Sequence, residues 1–401
     1  MFKYFEYHTI MAALWRFISA VIDWRTHLRF ITGRPLVDAV FVTNMRDEFD
    51  RKIYLGNLRP KCGHMNGPRY HINGVIGRTR SIDSVTGDLL NSQGRRRAKE
   101  QFIAAVKWAQ DNGVSTILLA ASTKRLFGDD GAKLKALFPE LLFTIGDNGT
   151  MFLLMNETFR ALEKAGLTPQ NSKIGILGPY GFLGELMTKT LVSKGFKVVG
   201  AGSNVSGLQR MKGQYGIDVS ESFDGVGKVD AVIACTHSEK IRLTCESIEN
   251  IRKEGRKLLV VDVAEPSNLT EDEYRKCKSV VIRQDAGNGY SPNLRYVLGW
   301  ISYRMMRLTR GVTFGCFAET LSLAAATKRN ESVKQHDWFM VNDETMGIVS
   351  GLFQKVGFTI PSARCFGEPV KRFDLEMHPN LIGIDLSQLA TNSQDTCLSE
   401  Q

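Results

Sequence analysis

The chain has 401 residues, of which 43% are hydrophobic and 23% are charged, with a formal net charge of +10. This length allows two or three domains, and the composition is that of an ordinary globular protein. No apolar run reaches the roughly 18 residues that a membrane span needs. The seven cysteines are scattered and form no CxxC pair, which argues against a disulfide framework or a zinc site. We therefore expect a cytoplasmic protein that binds no metal.

Residues 1–74 are predicted to form an N-terminal extension of one amphipathic helix and loops. The apolar stretch 10–24 is interrupted by Arg16, which is typical of an amphipathic helix. Such a helix docks on the protein's own core, or lies on a membrane surface as a peripheral contact. A strand is expected at 39–43, and the Gly-, Pro- and Asn-rich stretch 57–74 favours a loop.

Residues 75–168 alternate strand and helix patterns and are predicted to form the first α/β part of a substrate domain. After a strand that begins at Gly74, the expected elements are a helix at 94–110, a strand at 116–121, a helix at 132–137, a strand at 141–144 and a helix at 150–165.

Much of the positive charge lies in the N-terminal half of the chain. It comes from Arg95, Arg96, Arg97, Lys99, Lys107, Lys124 and Arg125. No helix-turn-helix or aromatic-interleaved pattern accompanies this charge, so we expect no nucleic-acid partner. An acidic protein or a phosphate-bearing substrate suits the charge, as does a merely solvated face.

The segment 173–186 predicts a dinucleotide site, because a short strand, a glycine turn and a helix follow one another. Gly178 allows the tight turn, Gly181 lets the backbone approach a pyrophosphate, and Gly184 lets the helix pack on the strand. Free N–H groups at the start of the helix then bind the phosphates. The loop is completed by Pro179, Tyr180, Phe182 and Leu183. The alternative is a flavodoxin-like or nucleoside-binding turn.

Residues 169–290 as a whole are predicted to be a Rossmann domain. Further strands are expected at 196–201, 231–235, 257–263 and 279–282, with a helix at 239–253. Repeated strand and helix predict an α/β fold with a doubly wound parallel sheet. Thr236 follows one of these strands, where such domains meet the nicotinamide half of the cofactor.

The end of the second strand predicts which nicotinamide cofactor is bound. NAD-specific sites place a carboxylate there, whereas this chain has Ser203 and Asn204, followed by Arg210. These residues suit the 2′-phosphate of NADPH. The alternative is that Arg210 belongs to a solvated helix face.

Residues 291–401 are predicted to be a helical part of the substrate domain. The expected helices span 293–308, 316–328 and 343–356, before a polar tail. Cys316 begins the second of them, and a helix N-terminus favours a nucleophilic thiolate. Glu319, one turn later, is a second catalytic candidate that caps the helix, orients the site or relays a proton. The alternative role for Cys316 is core packing, and Cys235 is then the next candidate.

An ordered set of motifs over residues 75–360 resembles the aldehyde-forming long-chain acyl-[acyl carrier protein] reductases of cyanobacteria. The motifs are Cys316-Phe317-Ala318-Glu319, the segment from Thr144 to Thr150, the basic helix near Arg95, the loop with Pro266 and Asn268-Leu269, and the pair Gly357-Phe358. The glycine turn departs from the family pattern, since bulky Pro179, Tyr180, Phe182 and Leu183 replace small and acidic residues.

The resemblance implies a mechanism. Cys316 attacks an acyl thioester delivered by acyl carrier protein or coenzyme A, and NADPH reduces the resulting enzyme thioester to an aldehyde. Glu319 is then the candidate for proton handling. Two alternatives remain open, which are an NADP-dependent dehydrogenase of a small keto or hydroxy acid and a non-catalytic NADPH-binding protein.

Overall fold

The computed structural model describes residues 2–57, 60–128, 130–297 and 308–377. The helices in these ranges are α1 (Phe2–Ile22), α2 (Trp24–Ile31), α3 (Glu48–Leu55), α4 (Ser92–Asp111), α5 (Ala132–Leu137), α6 (Asp147–Lys164), α7 (Phe182–Ser193), α8 (Val205–Tyr215), α9 (Cys245–Ile251), α10 (Glu271–Cys277), α11 (Gly315–Lys328) and α12 (Asp343–Val356). The strands are β1 (Ala39–Met45), β2 (His64–Ile72), β3 (Val75–Val85), β4 (Thr116–Leu119), β5 (Leu142–Thr144), β6 (Lys173–Leu177), β7 (Lys197–Ala201), β8 (Asp218–Ser220), β9 (Ala231–Ala234), β10 (Leu258–Asp262), β11 (Val281–Asp285), β12 (Asn288–Tyr290), β13 (Arg295–Tyr296), β14 (Val312–Phe314), β15 (Arg364–Cys365) and β16 (Glu368–Pro369).

The predicted Rossmann sheet is confirmed. Its six strands are all parallel, in the order β11-β10-β9-β6-β7-β8, which is the doubly wound arrangement with a change of direction beside β6. Strand β10 is buried along its whole length, as expected for a parallel strand with helices on both faces. The carboxyl ends of β6 and β9 therefore lie side by side at the point where such sheets bind ligands.

A second six-stranded sheet, in the order β13-β2-β3-β1-β4-β5, is the core of the other α/β part. Strand β1 pairs in parallel with both β3 and β4, so it lies inside this sheet. The prediction that residues 1–74 are an extension of one helix and loops is therefore wrong, since β1 and β2 belong to this sheet. The stretch predicted as a loop contains β2, whose pattern is obscured by a register shift between Asn66 and Arg69 and by buried polar side chains.

The C-terminal helices pack on this second sheet and complete the predicted substrate domain. The ring of Phe317 on α11 stacks on Phe41 of β1, with centroids 4.2 Å apart. Leu321 lies over Gly77 so closely that a Cβ on the glycine would be 2.7 Å from it. Leu352 and Phe353 of α12 belong to the same core. The fold class is thus the one expected, built from both ends of the chain around a Rossmann domain.

Two smaller predictions need correction. The helix expected at 239–253 is a short 3-10 turn at Glu239–Ile241 followed by α9, which starts at the side-chain cap Thr244. The helix expected at 293–308 is replaced at its start by β13, which pairs with β2 and is the edge strand of the second sheet. Residues 298–307 and the polar tail lie outside the described residues.

A buried carboxylate fixes the N-terminal helices to the second sheet. Asp23, between α1 and α2, lies 3.0 Å from Nε of Arg69 and 3.3 Å from Nε2 of His71. Arg78 is 3.8 Å away, and Thr26 donates a hydrogen bond of 2.8 Å. Burial acts to raise the pKa of Asp23, but the contacts of His71 and Thr26 and the charge of Arg69 outweigh it and hold the pKa at about 2.

We expect Asp23→Asn to release α1 and α2 from the sheet. The substitution leaves the buried cationic groups without their carboxylate, which costs about 3–5 kcal/mol in comparable pairs. Hydrogen exchange and limited proteolysis of residues 10–36 should both become faster, whereas Asp111→Asn, at an exposed position on α4, should change neither. Because the pKa is depressed from 3.8, the wild type should lose the same contact as the pH falls below 3.8 toward 2. Equal protection of this segment in the two variants would contradict this role of Asp23.

Candidate active site

The glycine turn has the shape that the sequence predicts. Gly178 has φ +75°, which favours glycine, and a Cβ on Gly184 would overlap the carbonyl oxygen of Gly178. Gly181 is the N-cap of α7 and gives it no side-chain cap. A Cβ there would meet only Gly178 O, at 3.3 Å. The first N–H groups of α7 and the open space above Gly181 therefore fit a pyrophosphate.

The bulky residues of the turn point away from this space or support it. Pro179 packs on Gly200 of β7, Leu183 belongs to the Rossmann core, and Phe182 is exposed. Thr236 lies directly under the turn, since a Cβ on Gly178 would be 2.7 Å from the Cβ of Thr236. The structure thus brings Thr236 and the turn together, as expected.

Tyr180 occupies the region in which the sequence places the 2′-phosphate. Its hydroxyl accepts hydrogen bonds from the backbone N–H of Ser203 at 2.9 Å and of Asn204 at 3.1 Å. Its ring lies against Gly202 and Gly207, where a Cβ would be within 2.7 Å of it. Sequence reasoning treated this tyrosine as part of the pyrophosphate loop and missed its contact with the end of β7.

The side chains predicted to bind the 2′-phosphate also have partners within the protein. The Asn204 side chain caps α8 by accepting from Gly207 N at 3.1 Å. Arg210 forms two hydrogen bonds of 2.7 Å with Glu185. The Ser203 hydroxyl lies 3.5 Å from Tyr180 Oη. These three residues do cluster beside the glycine turn, so their binding to a 2′-phosphate stays a prediction that requires Arg210 to exchange its partner.

Cys316 lies at the start of α11, where this helix meets the turn before α6 and the loop after β11; we call this junction the cysteine cleft. Helix α11 buries Gly315 and every residue from Phe317 to Ala326, whereas Cys316 is only partly buried. A Cβ on Gly146 would overlap the Cys316 side chain, so the turn before α6 approaches the cysteine as closely as its backbone allows. Cys316 is thus a partly buried residue that packs on the core of the second sheet and stands at the N-terminus of its helix.

The same cleft contains an ion pair that the sequence analysis did not identify as a site. Lys124, after β4, donates to both carboxylate oxygens of Asp147, the first residue of α6, at 3.0 and 2.9 Å. Burial raises the pKa of the Cys316 thiol to about 12, an effect that Asp147 strengthens and Lys124 opposes. The sequence shows that Lys124 and Asp147 each follow a predicted strand. It does not show that these two strands are neighbours in the sheet, which the ion pair requires.

Glu319 connects the elements that form the cleft. Its two oxygens accept hydrogen bonds from the Thr144 hydroxyl and, at 2.6 Å, from Gly149 N. Burial raises its pKa to about 7. With both oxygens engaged, the contacts favour a role in positioning α11 against α6, and proton handling by Glu319 stays a prediction.

The loop after β11 joins this cleft to the Rossmann sheet. Gly315 N donates to Gly287 O at 2.8 Å, and Gly287 N donates to Glu157 at 2.6 Å. On its other side, Gly287 lies so close to Val263 that a Cβ would be 2.6 Å from that side chain. Because Val263 directly follows β10, this loop connects the cysteine cleft to the carboxyl edge of the sheet that carries the glycine turn.

Comparison with known proteins supports the dinucleotide-binding part. Residues 161–283 match the family model for shikimate / quinate 5-dehydrogenase, and this range contains the glycine turn and five strands of the Rossmann sheet. No curated protein matches the chain. The coarse predictions of a Rossmann domain, a nicotinamide dinucleotide cofactor and an oxidoreductase therefore receive support, whereas nothing found in these comparisons points to an acyl-[acyl carrier protein] reductase.

Solved structures resemble the chain only in fold. A dipicolinate synthase subunit from Bacillus halodurans is 13% identical with a TM-score of 0.30, and the match covers 42% of this chain and 57% of that chain. L-tryptophan dehydrogenase from Nostoc punctiforme is 12% identical with a TM-score of 0.33, and the match covers 80% of this chain and 89% of that chain. Shikimate 5-dehydrogenase from Thermus thermophilus, in complex with shikimate, is 13% identical with a TM-score of 0.27, and the match covers 53% of this chain and 62% of that chain. The chain thus spans little more than half the length of the first of these proteins.

We expect Gly181→Val to abolish binding of NADPH while the fold is retained. The extended backbone of Gly181 suits valine, and Gly178 O, 3.3 Å from a Cβ there, has to shift only slightly, but the side chain fills the space where a pyrophosphate would approach the turn. Gly213→Val on α8 is the matched control, because no atom lies within 4 Å of a Cβ there. Isothermal titration with NADPH should show binding to the control only. Unchanged affinity in Gly181→Val would remove the turn from the site.

We expect Glu319→Gln to change how stability depends on pH. Because the folded-state pKa is raised from 4.5 to about 7, the stabilising contribution is complete below 4.5 and is lost as the pH rises through 7. Between these values the wild type should lose about 3 kcal/mol of unfolding free energy that the variant keeps. Urea unfolding across this range measures the difference, with exposed Glu163→Gln as control. Parallel curves for wild type and Glu319→Gln would refute the assignment.

Proposed function

We propose that this protein reduces a fatty acyl thioester to an aldehyde with NADPH, through a thioester on Cys316. The observation that carries the proposal is the position of Cys316. It is partly buried at the start of a largely buried helix, beside the Gly287 loop that contacts the residue after β10. Although its side chain packs on the core of the second sheet, the free N–H groups at the helix start favour a reactive thiol.

Acyl transfer to Cys316 needs no further reactant, because one carbon–sulfur bond forms as another breaks. The sulfur of Cys316 forms a bond to the acyl carbon, the bond from that carbon to the carrier sulfur breaks, and the cysteine proton leaves on the carrier thiol. Thioester exchange of this kind is nearly neutral in free energy and keeps the acyl carbon electrophilic. The glycine turn from Gly178 to Gly184 would hold the nicotinamide cofactor, which would supply the hydride that reduces the thioester carbon, and Cys316 would then leave the aldehyde as the thiolate.

The groups around Cys316 act on its thiol pKa in opposite directions. Burial raises this pKa to about 12, Asp147 and Glu319 add to the rise, and Lys124 opposes it, so the side chain is held as the neutral thiol before it reacts. The start of α11 adds the partial positive charge of its N–H groups. Glu319 acts as a positioning residue, since it holds α11 against the turn at Gly149.

The exposed basic surface of α4 suits an acidic carrier such as acyl carrier protein, or the phosphates of coenzyme A. Arg95, Arg96 and Lys99 line a shallow depression there, together with Leu90, Asn91 and Ser92. Opposite charge at such a surface accelerates and orients association. Carrier preference should therefore weaken with added salt.

A second function is favoured by the ion pair of Lys124 and Asp147. An ammonium paired with a carboxylate can hold and move a proton at the oxygen of a carbonyl or hydroxyl group. On this alternative, the protein oxidises or reduces a small hydroxy or keto acid with the nicotinamide cofactor, and Cys316 is structural. The match of residues 161–283 to a dehydrogenase family model supports this alternative.

The variant Cys316→Ala tests the first function. We expect it to fold, bind NADPH with wild-type affinity and form no aldehyde from any acyl thioester, because the covalent route is gone. Intact-mass spectrometry after incubation with palmitoyl-CoA should show an acyl adduct on the wild type and none on the variant. Cys245→Ala, at another partly buried cysteine, is the matched control and should keep both adduct and activity. Aldehyde formation by Cys316→Ala would end the proposal.

The variant Lys124→Met separates the two functions. If Cys316 carries the reaction, the acylation rate should increase only at a higher pH once the ammonium is lost, and aldehyde should still form at high pH. If the ion pair carries the reaction, Lys124→Met should abolish turnover of a hydroxy acid at every pH and Cys316→Ala should leave it intact. A wild type that binds NADPH but shows neither adduct nor turnover would favour the non-catalytic alternative.

A further inference from the structure

The N-terminal helices α1 and α2 bury polar side chains and expose apolar ones, which is the reverse of an ordinary surface helix. Among the side chains that the structure describes between residues 9 and 31, Ser19 and Asp23 are buried, and both are polar. Asp23 faces the basic side chains of β2, and Arg16 donates to a backbone carbonyl of α3. A surface helix usually buries its apolar face and exposes its polar face. Here the polar face is held against the protein and the apolar face is turned outward.

The outward face is the main concentration of exposed apolar side chains in the described residues. Eleven of the eighteen exposed large hydrophobic residues there belong to α1 and α2. They are Ile10, Met11, Leu14, Phe17, Ile18, Val21, Ile22, Trp24, Leu28, Phe30 and Ile31. Contiguous apolar surface of this kind marks a contact with another molecule or with a membrane.

The charge around this face distinguishes between those occupants. From residue 7 to residue 37 the only acidic residue is Asp23, which is buried. Arg25 and Arg34 are exposed beside the apolar residues, and Arg25 lies over the ring of exposed Trp24 at 5.3 Å. A second copy would bring like charges together, whereas anionic lipid headgroups would pair with them. Tryptophan and arginine beside aliphatic residues are typical of the interface between headgroups and acyl chains.

We propose that the outward face of α1 and α2 binds the surface of an anionic lipid bilayer, with its apolar residues inserted below the headgroups. In the described residues, no helix has the length and apolarity needed to cross a bilayer, so the pair lies in the plane of the interface. The inference does not depend on which substrate the cleft takes.

Vesicle flotation with the full chain tests the proposal. We expect the wild type to float with vesicles of phosphatidylcholine containing about 30% phosphatidylglycerol, and to bind neutral phosphatidylcholine on the order of tenfold more weakly. Leu28→Glu should reduce binding to the anionic vesicles on the order of tenfold, because it places a negative charge on the inserted face. Leu137→Glu is the matched control, since Leu137 on α5 is 58% exposed and Leu28 is 53% exposed.

Two further measurements show whether a loss of lipid binding comes from a loss of folding. Thermal melting and NADPH titration should be the same for both variants, and Phe30→Glu replaces Leu28→Glu if the latter fails to fold. A wild type that does not float with anionic vesicles overturns the proposal, as does an equal loss in the two leucine variants. Sedimentation that shows a dimer without lipid, which Leu28→Glu dissociates, would overturn it in favour of an interface between two copies.

Discussion

The cysteine cleft forms where three backbone segments approach one another closely, and it depends on these approaches. The turn before α6, the loop after β11 and the start of α11 meet at Gly146, Gly149, Gly287 and Gly315, and a Cβ at any of these would collide with a neighbouring segment. Glycine lets the backbones approach, and the buried Glu319 carboxylate then fixes the approach by accepting from Gly149. The two α/β parts are thereby joined at the edge where a Rossmann sheet binds its ligand.

Local patterns in the sequence were enough to predict five of the six strands of the Rossmann sheet, though not the short β8 or the 3-10 turn before α9. Its strands are short apolar runs bounded by helix signals, and the glycine turn follows β6 directly, so spacing alone specifies the order. The other half was harder because its sheet draws strands from distant positions. Strand β2 buries Arg69 and His71, and these polar residues make a strand look like a loop until the carboxylate of Asp23 is placed beside them.

The candidate site was predictable where one segment forms it and unpredictable where two segments meet. The glycine turn and the position of Cys316 at a helix start are local features. The pair of Lys124 and Asp147 joins the ends of neighbouring strands, and the pair of Arg210 and Glu185 joins α8 to α7. Neither partnership is visible from spacing, since ion pairs are made by whichever charges the packing brings within reach.

The membrane face and the cleft lie on opposite sides of one sheet, which limits how they can cooperate. Side chains alternate along a strand, so Arg69 faces Asp23 and α1, while its neighbour Tyr70 packs edge-on against Phe317 of α11, with centroids 5.6 Å apart. Phe41 and Tyr70 are fully buried in the layer between. An acyl chain therefore has no route from α1 through the sheet to Cys316. Binding to a bilayer would keep the cleft close to lipid-derived substrates, and entry would have to occur around the edge of the sheet.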